Sequence, residues 1–137
     1  MIIGIGHDVC DATRIEKTLE RFGDRFTHRA FTALEREKCD RRAKRADSYA
    51  RRFAAKEACS KALGTGFRRG VHLATIGVVN LPGGKPTLEL TDGALDRLRE
   101  ITPDGTVAKI DVSLTDDRGL AYAIVLITAV PEASAAD

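Results

Sequence analysis

The pattern of apolar and polar residues is most regular in the middle of the chain, over residues 51–66 (R-R-F-A-A-K-E-A-C-S-K-A-L-G-T-G). Good helix formers fill this segment, and Gly64 and Gly66 stand where a left-handed C-terminal turn is expected. At about 100° per residue, Glu57 and Lys61 share one face with alanines, and the opposite face is apolar. A helix that is apolar on both sides is expected to be buried, where an unpartnered carboxylate or ammonium is costly. The segment therefore predicts a buried central helix in which Glu57 and Lys61 have a functional role.

The first six residues, M-I-I-G-I-G, alternate isoleucine with glycine. This alternation predicts a strand with isoleucine side chains on one face and bare backbone on the other. We expect another element or a ligand to approach the bare face closely, with Asp8 on the same side as the glycines. A lone G-x-G-x-D motif is equally compatible with an aspartate that caps the next helix.

Two capping-box signatures, T-R-I-E from Thr13 and T-A-L-E from Thr32, predict the starts of two helices. The first helix is short and amphipathic, and the second is polar and extends to about Ala46. Asp47 or Ser48 is then predicted to cap the central helix.

After the central helix the chain changes to the alternation of strands, interrupted by one helix after Thr91. Strands are predicted over residues 76–81, 87–90, 107–115 and 120–129. Together with the first strand, they predict an α+β fold in which a largely antiparallel five-stranded sheet packs against the long central helix. We expect one domain over residues 1–130 and a disordered tail over 131–137.

Composition narrows the class of protein. No apolar run approaches the roughly 20 residues of a membrane helix, and the N-terminus resembles neither a basic leader nor a cleavage site. The three cysteines are odd in number and have no C-x-x-C spacing, which favours reduced thiols. These features predict a cytoplasmic protein without a membrane partner.

Charge is unevenly distributed. Residues 11–72 contain 17 lysines and arginines against 9 acidic residues, whereas the remainder contains 5 against 11. A basic half indicates an acidic or phosphorylated partner, although a solvated helical surface gives the same pattern.

The candidate chemistry depends on whether Asp8 meets the Glu57 face of the central helix. Two converging carboxylates with few other protein ligands suit Mg²⁺, which keeps several waters and binds phosphate oxygens. Zinc is disfavoured because His7 has no His or Cys partner at ligand spacing. Lys61 would contact the same phosphates. The alternative is a simple helix salt bridge between Glu57 and Lys61.

Two motifs carry a family resemblance: G-I-G-H-D followed by Arg14, and F-A-A-K-E-A-C-S-K-A-L-G-T-G. They resemble the holo-acyl-carrier-protein synthases, the small bacterial class of 4'-phosphopantetheinyl transferases. The similarity extends to about Val130 and includes the G-K-P loop and the V-S-L-T strand. It implies transfer of the phosphopantetheine arm of coenzyme A to a serine of apo acyl carrier protein, with Mg²⁺, for fatty acid biosynthesis.

The resemblance also implies roles for individual residues. Asp8 and Glu57 match the family's metal-binding carboxylates, and Lys61 matches its diphosphate contact. Glu57 is our candidate for assisting removal of the serine proton. Residues that resemble coenzyme A contacts are Arg52, as a guess for the 3'-phosphate, together with Gly64, Thr65, Lys85, Pro86 and Thr115. Arg14, Arg21 and Arg25 match a docking surface for the acidic carrier protein.

The resemblance further implies a homotrimer with active sites between subunits. Two positions depart from it, since many relatives have a small or aliphatic residue at His7 and histidine at Asp116. An aspartate cannot donate a hydrogen bond to a nucleotide phosphate as that histidine does. Two alternatives stay open: another Mg²⁺-dependent phosphoryl or nucleotidyl transferase, and a basic nucleic-acid-binding module. Against the second, aromatic residues make up only 5% of the chain and no nucleic-acid motif is present.

Overall fold

The structure, a computed structural model, describes residues 1–133 and contains five α-helices, one short 3-10 helix (Leu73–Thr75) and five strands within that range. The helices are α1 (Ala12–Phe22), α2 (Asp24–Ala30), α3 (Ala33–Asp40), α4 (Arg45–Ala62) and α5 (Asp92–Ile101). The strands are β1 (Ile2–Asp11), β2 (Ile76–Asn80), β3 (Pro86–Leu90), β4 (Thr106–Asp117) and β5 (Leu120–Pro131). Within residues 1–133, no helix has the length and apolar character needed to cross a membrane.

The strands confirm the predicted α+β class. β1, β5 and β4 form an antiparallel sheet in that order, and β2 and β3 form a separate antiparallel hairpin. All five predicted strands are present, but they are divided between two sheets. The chain leaves β3 through α5 before it reaches β4, and the hairpin packs near β4 without extending its ladder.

The glycine face of β1 is where the central helix α4 packs, as the alternation predicted. A Cβ atom built on Gly6 would lie 2.0 Å from the carbonyl oxygen of Ala58, and one on Gly4 would lie 2.3 Å from that of Ala62. Any side chain at these positions would overlap the helix backbone. The two glycines therefore set how closely β1 and α4 approach.

The opposite face of this sheet is exposed, and it is largely apolar along β1 and β5. Ile5, Val9, Tyr122 and Ile124 have exposed fractions of 60%, 50%, 41% and 45%. The register places Val9 beside Tyr122 and His7 beside Ile124, so these side chains form one continuous stripe. Ile5 thus lies outside the core, whereas Ile3, which was predicted on the same face, packs partly against the core.

Helix boundaries differ from the prediction at three places. Asp11 caps α1 through a 2.8 Å hydrogen bond from the Thr13 backbone N–H, so the capping box predicted at Thr13 is wrong. The capping box at Thr32 is confirmed, but α3 ends at Asp40, before the predicted Ala46. A disordered tail was predicted over residues 131–137. Pro131 is the last residue of β5, whereas residues 134–137 lie outside the described range.

The central helix begins at Arg45, before both of the residues that were predicted to cap it. Neither Asp47 nor Ser48 caps it, because both lie within its first turns. Asp40 stabilises this start from α3: its Oδ1 accepts hydrogen bonds from Arg45 Nη1 at 2.9 Å and from the Tyr49 hydroxyl at 2.8 Å.

A fully buried ion pair ties α4 to the rest of the chain. Lys56 Nζ lies 2.6 Å from Glu35 Oε1 and also donates to the carbonyl oxygens of Leu73 and Ile76. Glu35 in turn accepts the backbone N–H of Val78 at 3.0 Å. Both buried charged groups therefore have hydrogen-bonding partners, without which their burial would be costly. This network fixes the rotation of α4 next to Glu57.

Candidate active site

The site lies where β1 meets α4. Because successive side chains of a strand point to opposite faces, Asp8 lies on the same side as Gly4 and Gly6 and faces the helix. Lys61 Nζ lies 2.9 Å from Asp8 Oδ1 and 3.1 Å from the backbone oxygen of His7. The Asp8 side chain is only 13% exposed, whereas that of Lys61 is 54% exposed. The strand and the helix thus place a carboxylate and a lysine in direct contact.

Glu57, one turn before Lys61 on α4, completes the group. Burial and then a hydrogen bond to the carboxyl group of Asp8 raise the pKa of Glu57 to about 7. Burial alone would raise the pKa of Asp8, but hydrogen bonds from Glu57 and Lys61 and the charge of Lys61 lower it. A carboxyl group whose pKa is raised by burial and by a neighbouring carboxyl group belongs to a site that a cation would stabilise.

The donor set of this site fits Mg²⁺. Its two carboxyl groups offer oxygen atoms only, and no third His, Cys, Asp or Glu joins them among residues 1–133. Mg²⁺ is commonly held by one or two carboxylates, with waters and substrate phosphates as the other ligands. The exposed ammonium of Lys61 beside the pair would face those phosphates.

A small cavity leads from Glu57 toward α1. It has a volume of about 100 Å³, and its lining includes Arg14, Thr18, Phe26, Phe53 and Glu57. The positive charge of Arg14 acts on Glu57 and partly opposes the rise in its pKa. The cavity therefore links the predicted docking arginine to the carboxyl pair.

The other predicted docking residues surround a second groove on α1 and α2. This groove has a volume of about 460 Å³ and shares Thr18 and Phe26 with the smaller cavity. Arg25 lies in its lining, and the Arg21 guanidinium carbon lies 5.1 Å from the centre of the exposed Phe22 ring. Arginine and phenylalanine side chains thus form one surface that continues to Glu57.

The predicted coenzyme A residues fall into three groups. Gly64 and Thr65 follow the C-terminus of α4, where the Gly64 N–H bonds to the Lys61 carbonyl at 3.0 Å and Gly64 has φ of 80°. These two residues therefore lie close to Lys61.

Thr115, Lys85 and Pro86 lie elsewhere, on the side of β4. Thr115 pairs with Tyr122 and so belongs to the outer face of the sheet, which α4 does not cover. Lys85, in the loop between β2 and β3, lies 3.6 Å from Asp111 of β4. One chain does not bring this group together with Asp8 and Glu57, because the sheet and α4 separate them.

Arg52 belongs to neither group. It is only 9% exposed, and its Nη1 donates to the Ser48 hydroxyl at 2.7 Å. The neighbouring Arg51 instead lies 3.6 Å from Asp116, the position that departs from the family pattern. Sequence reasoning missed this pair, since the two residues are far apart in the chain. It also missed Glu35 and Lys56, although a lysine among buried alanines is a signal for a buried partner.

Comparison with known proteins agrees with this geometry. Residues 4–123 match the family model of the 4'-phosphopantetheinyl transferase superfamily. A holo-acyl-carrier-protein synthase of Caulobacter vibrioides is 64% identical over 132 residues, covering 96% of this chain and 99% of the relative. The synthase of Bradyrhizobium diazoefficiens is 63% identical over 135 residues, covering 96% and 97%.

Solved structures agree as well. The crystal structure of the Neisseria meningitidis synthase matches with a TM-score of 0.82 at 33% identity, covering 93% of this chain and 99% of that one. The Helicobacter pylori synthase in complex with coenzyme A matches with a TM-score of 0.76 at 30% identity, covering 90% and 99%. The sequence, the fold and the paired carboxyl groups lead to the same conclusion: the chain belongs to the 4'-phosphopantetheinyl transferase superfamily, among the holo-acyl-carrier-protein synthases.

Proposed function

We propose that this protein transfers the 4'-phosphopantetheine group of coenzyme A to a serine of apo acyl carrier protein and releases adenosine 3',5'-bisphosphate. The observation that carries the proposal is the convergence of Asp8, Glu57 and Lys61, with the ammonium 2.9 Å from Asp8. In a chain of this family, such a group is suited to hold a diphosphate and neutralise the charge that develops on it.

In the proposed reaction, the serine oxygen forms a bond to the β-phosphorus of coenzyme A. The bond between that phosphorus and the bridging oxygen breaks, and the electron pair leaves with the bisphosphate. Lys61 donates to the diphosphate oxygens and stabilises the leaving group. Glu57, when ionised, accepts the serine proton directly or through a water molecule. Asp8 orients Lys61 and, with Glu57, would hold Mg²⁺, which when bound polarises the phosphoryl oxygens.

The carrier protein would dock on α1 and α2. Arg14, Arg21 and Arg25 supply positive charge for an acidic partner, and the exposed Phe22 supplies apolar contact area. Because the docking groove shares Thr18 and Phe26 with the cavity beside Glu57, a serine presented there would lie near the carboxyl pair.

A complete site would require a second copy of the chain. Thr115, Lys85 and Pro86 lie across the sheet from Glu57, so they would contact coenzyme A bound by a neighbouring copy. The exposed stripe of Ile5, Val9, Tyr122 and Ile124 is the apolar surface that assembly would bury. We therefore propose a homotrimer, which light scattering after size-exclusion chromatography tests; a monomer near 15 kDa would exclude it.

The reaction is tested by incubating the protein with coenzyme A, Mg²⁺ and apo acyl carrier protein. We expect the carrier to gain the mass of one phosphopantetheine, and chelation by EDTA to stop the gain. Glu57→Gln should keep the fold yet lose this turnover. Cleavage of coenzyme A without labelling of the carrier would favour another phosphoryl transferase instead.

A further inference from the structure

The C-terminal end of α4 lies directly beside the proposed site. Lys61 belongs to the last turn of the helix, and the glycine-rich turn from Gly64 to Gly66 follows it. The Gly64 N–H donates to the Lys61 carbonyl at 3.0 Å, and the Gly66 N–H donates to the Ser60 carbonyl at 3.1 Å. Both glycines have positive φ, 80° and 59°, which closes the turn over the helix end. A diphosphate held by Lys61 would therefore lie next to this turn.

A side chain of α5 completes this helix end. Arg97 Nε donates to the carbonyl of Leu63, the C-cap residue of α4, at 2.9 Å. Arg97 Nη2 lies 3.5 Å from the position of a Cβ atom built on Gly64, so the guanidinium group lies against the turn. Glu100 accepts a hydrogen bond from Arg97 Nη1 at 3.2 Å. Arg97 is thus held between the end of α4 and its own helix.

The contact offsets an unfavourable charge at this end of the helix. The last carbonyl groups of a helix have no partners within it and together carry a partial negative charge of about half an elementary charge. Such an end disfavours an anion, yet the exposed ammonium of Lys61 is where the diphosphate is proposed to bind. A guanidinium group that donates to the last carbonyl satisfies it and supplies a compensating positive charge. Arg97 provides both at the point where the helix would otherwise repel the substrate.

We propose that Arg97 is a positioning residue of the transfer reaction: it holds the turn that follows α4 and offsets the negative end of the helix, so that the diphosphate of coenzyme A can bind beside Lys61. This inference rests on the proposed function. Arg97 acts through the turn, since its side chain is only 21% exposed and two of its nitrogen atoms are engaged within the protein. Asp8 holds Lys61 independently, from the side of β1. Loss of Arg97 should therefore weaken the binding of coenzyme A and leave the chemical step intact.

The test measures the kinetics of carrier labelling by the assembled protein. In Arg97→Ala, the KM for coenzyme A should rise about five- to tenfold, as expected for the loss of one hydrogen bond and its charge. The kcat and the KM for the carrier should stay within about twofold of the wild type. Arg97→Lys keeps the charge and a donor and should recover most of the loss, whereas Arg97→Gln keeps a donor alone and should recover less.

Two other arginines provide matched controls. Arg36 Nη1 donates to the carbonyl of Phe31, the C-cap residue of α2, at 2.6 Å, so Arg36→Ala removes the same kind of contact from another helix. Arg99→Ala removes an exposed positive charge from α5 itself. Both variants should keep the wild-type KM for coenzyme A.

Calorimetric titration with coenzyme A, without the carrier, makes the same comparison independently of turnover, and the dissociation constant should rise in Arg97→Ala by a factor similar to that of the KM. Values for Arg97→Ala within about twofold of the wild type would overturn the proposal. A fall in kcat with equal changes in both KM values would also overturn it, because that pattern indicates a general loosening of the fold. Equal KM values in Arg97→Lys and Arg97→Gln would refute the part assigned to charge. Failure of the wild type to label the carrier would instead refute the proposed function.

Discussion

Gly6→Ala tests whether the close approach of β1 and α4 builds the site. The added Cβ atom would lie 2.0 Å from the Ala58 carbonyl oxygen and 2.8 Å from the Ala62 nitrogen. Both partners are backbone atoms of a helix that is hydrogen-bonded along its length. A helix backbone cannot change rotamer as a side chain can, so the strand and the helix must move apart.

The size of the effect follows from this geometry. Since Cβ contacts under 3.0 Å are not tolerated, the two elements must separate by on the order of 1 Å. Overpacking of a core costs about 1–3 kcal/mol, and a backbone clash belongs at the upper end, so we expect a loss of about 3 kcal/mol in the free energy of unfolding. The same shift would separate Asp8 from Glu57 and Lys61, and a displacement of this size lowers kcat by up to about 100-fold.

Urea unfolding and initial rates of carrier labelling measure the two effects. Gly77→Ala is the control, because its Cβ would lie 3.3 Å from the Thr32 Cγ2 methyl group and 3.7 Å from the Glu89 backbone oxygen, with no contact under 3.0 Å. We expect the urea midpoint of the control to stay close to that of the wild type. If Gly6→Ala matched Gly77→Ala in both midpoint and rate, the glycine face would have no part in positioning the site.

Three further predictions concern charge. Glu57 has a pKa raised to about 7, so the folded state holds its proton more tightly than the unfolded chain; this stabilisation is complete below about pH 4.5 and is lost as the pH rises through 7. In metal-free buffer, Glu57→Gln should therefore raise the melting temperature relative to the wild type more at pH 8 than at pH 5, and a pH-independent difference would contradict the coupling to Asp8. Lys56→Met leaves Glu35 buried without its partner and should lower the free energy of unfolding by about 3–5 kcal/mol, with partial recovery when Glu35→Gln is added. Equal chemical-denaturation midpoints for the single and double variants would argue against the pair. Arg21→Glu should raise the KM for the acidic carrier, most at low salt, and leave the KM for coenzyme A unchanged; a KM that does not respond to salt would place docking elsewhere.

Local periodicity predicted which residues of the candidate site share a face. In a strand, residues two apart share a face, so the glycines and Asp8 could be placed together before the structure was known. In a helix, residues four apart share a face, which placed Glu57 beside Lys61. The family resemblance added the pairing of these two faces, and the structure brings them into contact.

Features that depend on distant residues were not predictable in this way. The start of α4 depends on Asp40, which accepts from Arg45 and Tyr49 across the loop between two helices. The partner of Lys56 is 21 residues away, and nothing in the local sequence selects Glu35 from the other acidic residues. The division of the strands into two sheets likewise follows from long-range pairing, which alternation alone does not specify.

The carboxyl pair is a local cost to stability that binding would offset. Gly4 and Gly6 let the helix pack close to β1, which places Glu57 beside Asp8, and burial followed by the neighbouring Asp8 carboxyl group raises the pKa of Glu57. Lys61 reduces this cost only in part, since it is largely exposed and its charge is screened by water. A divalent cation between the two carboxylates would attract both and so offset their mutual repulsion. We therefore expect the close packing that disfavours two charges in the free protein to favour the binding of a cation and a diphosphate.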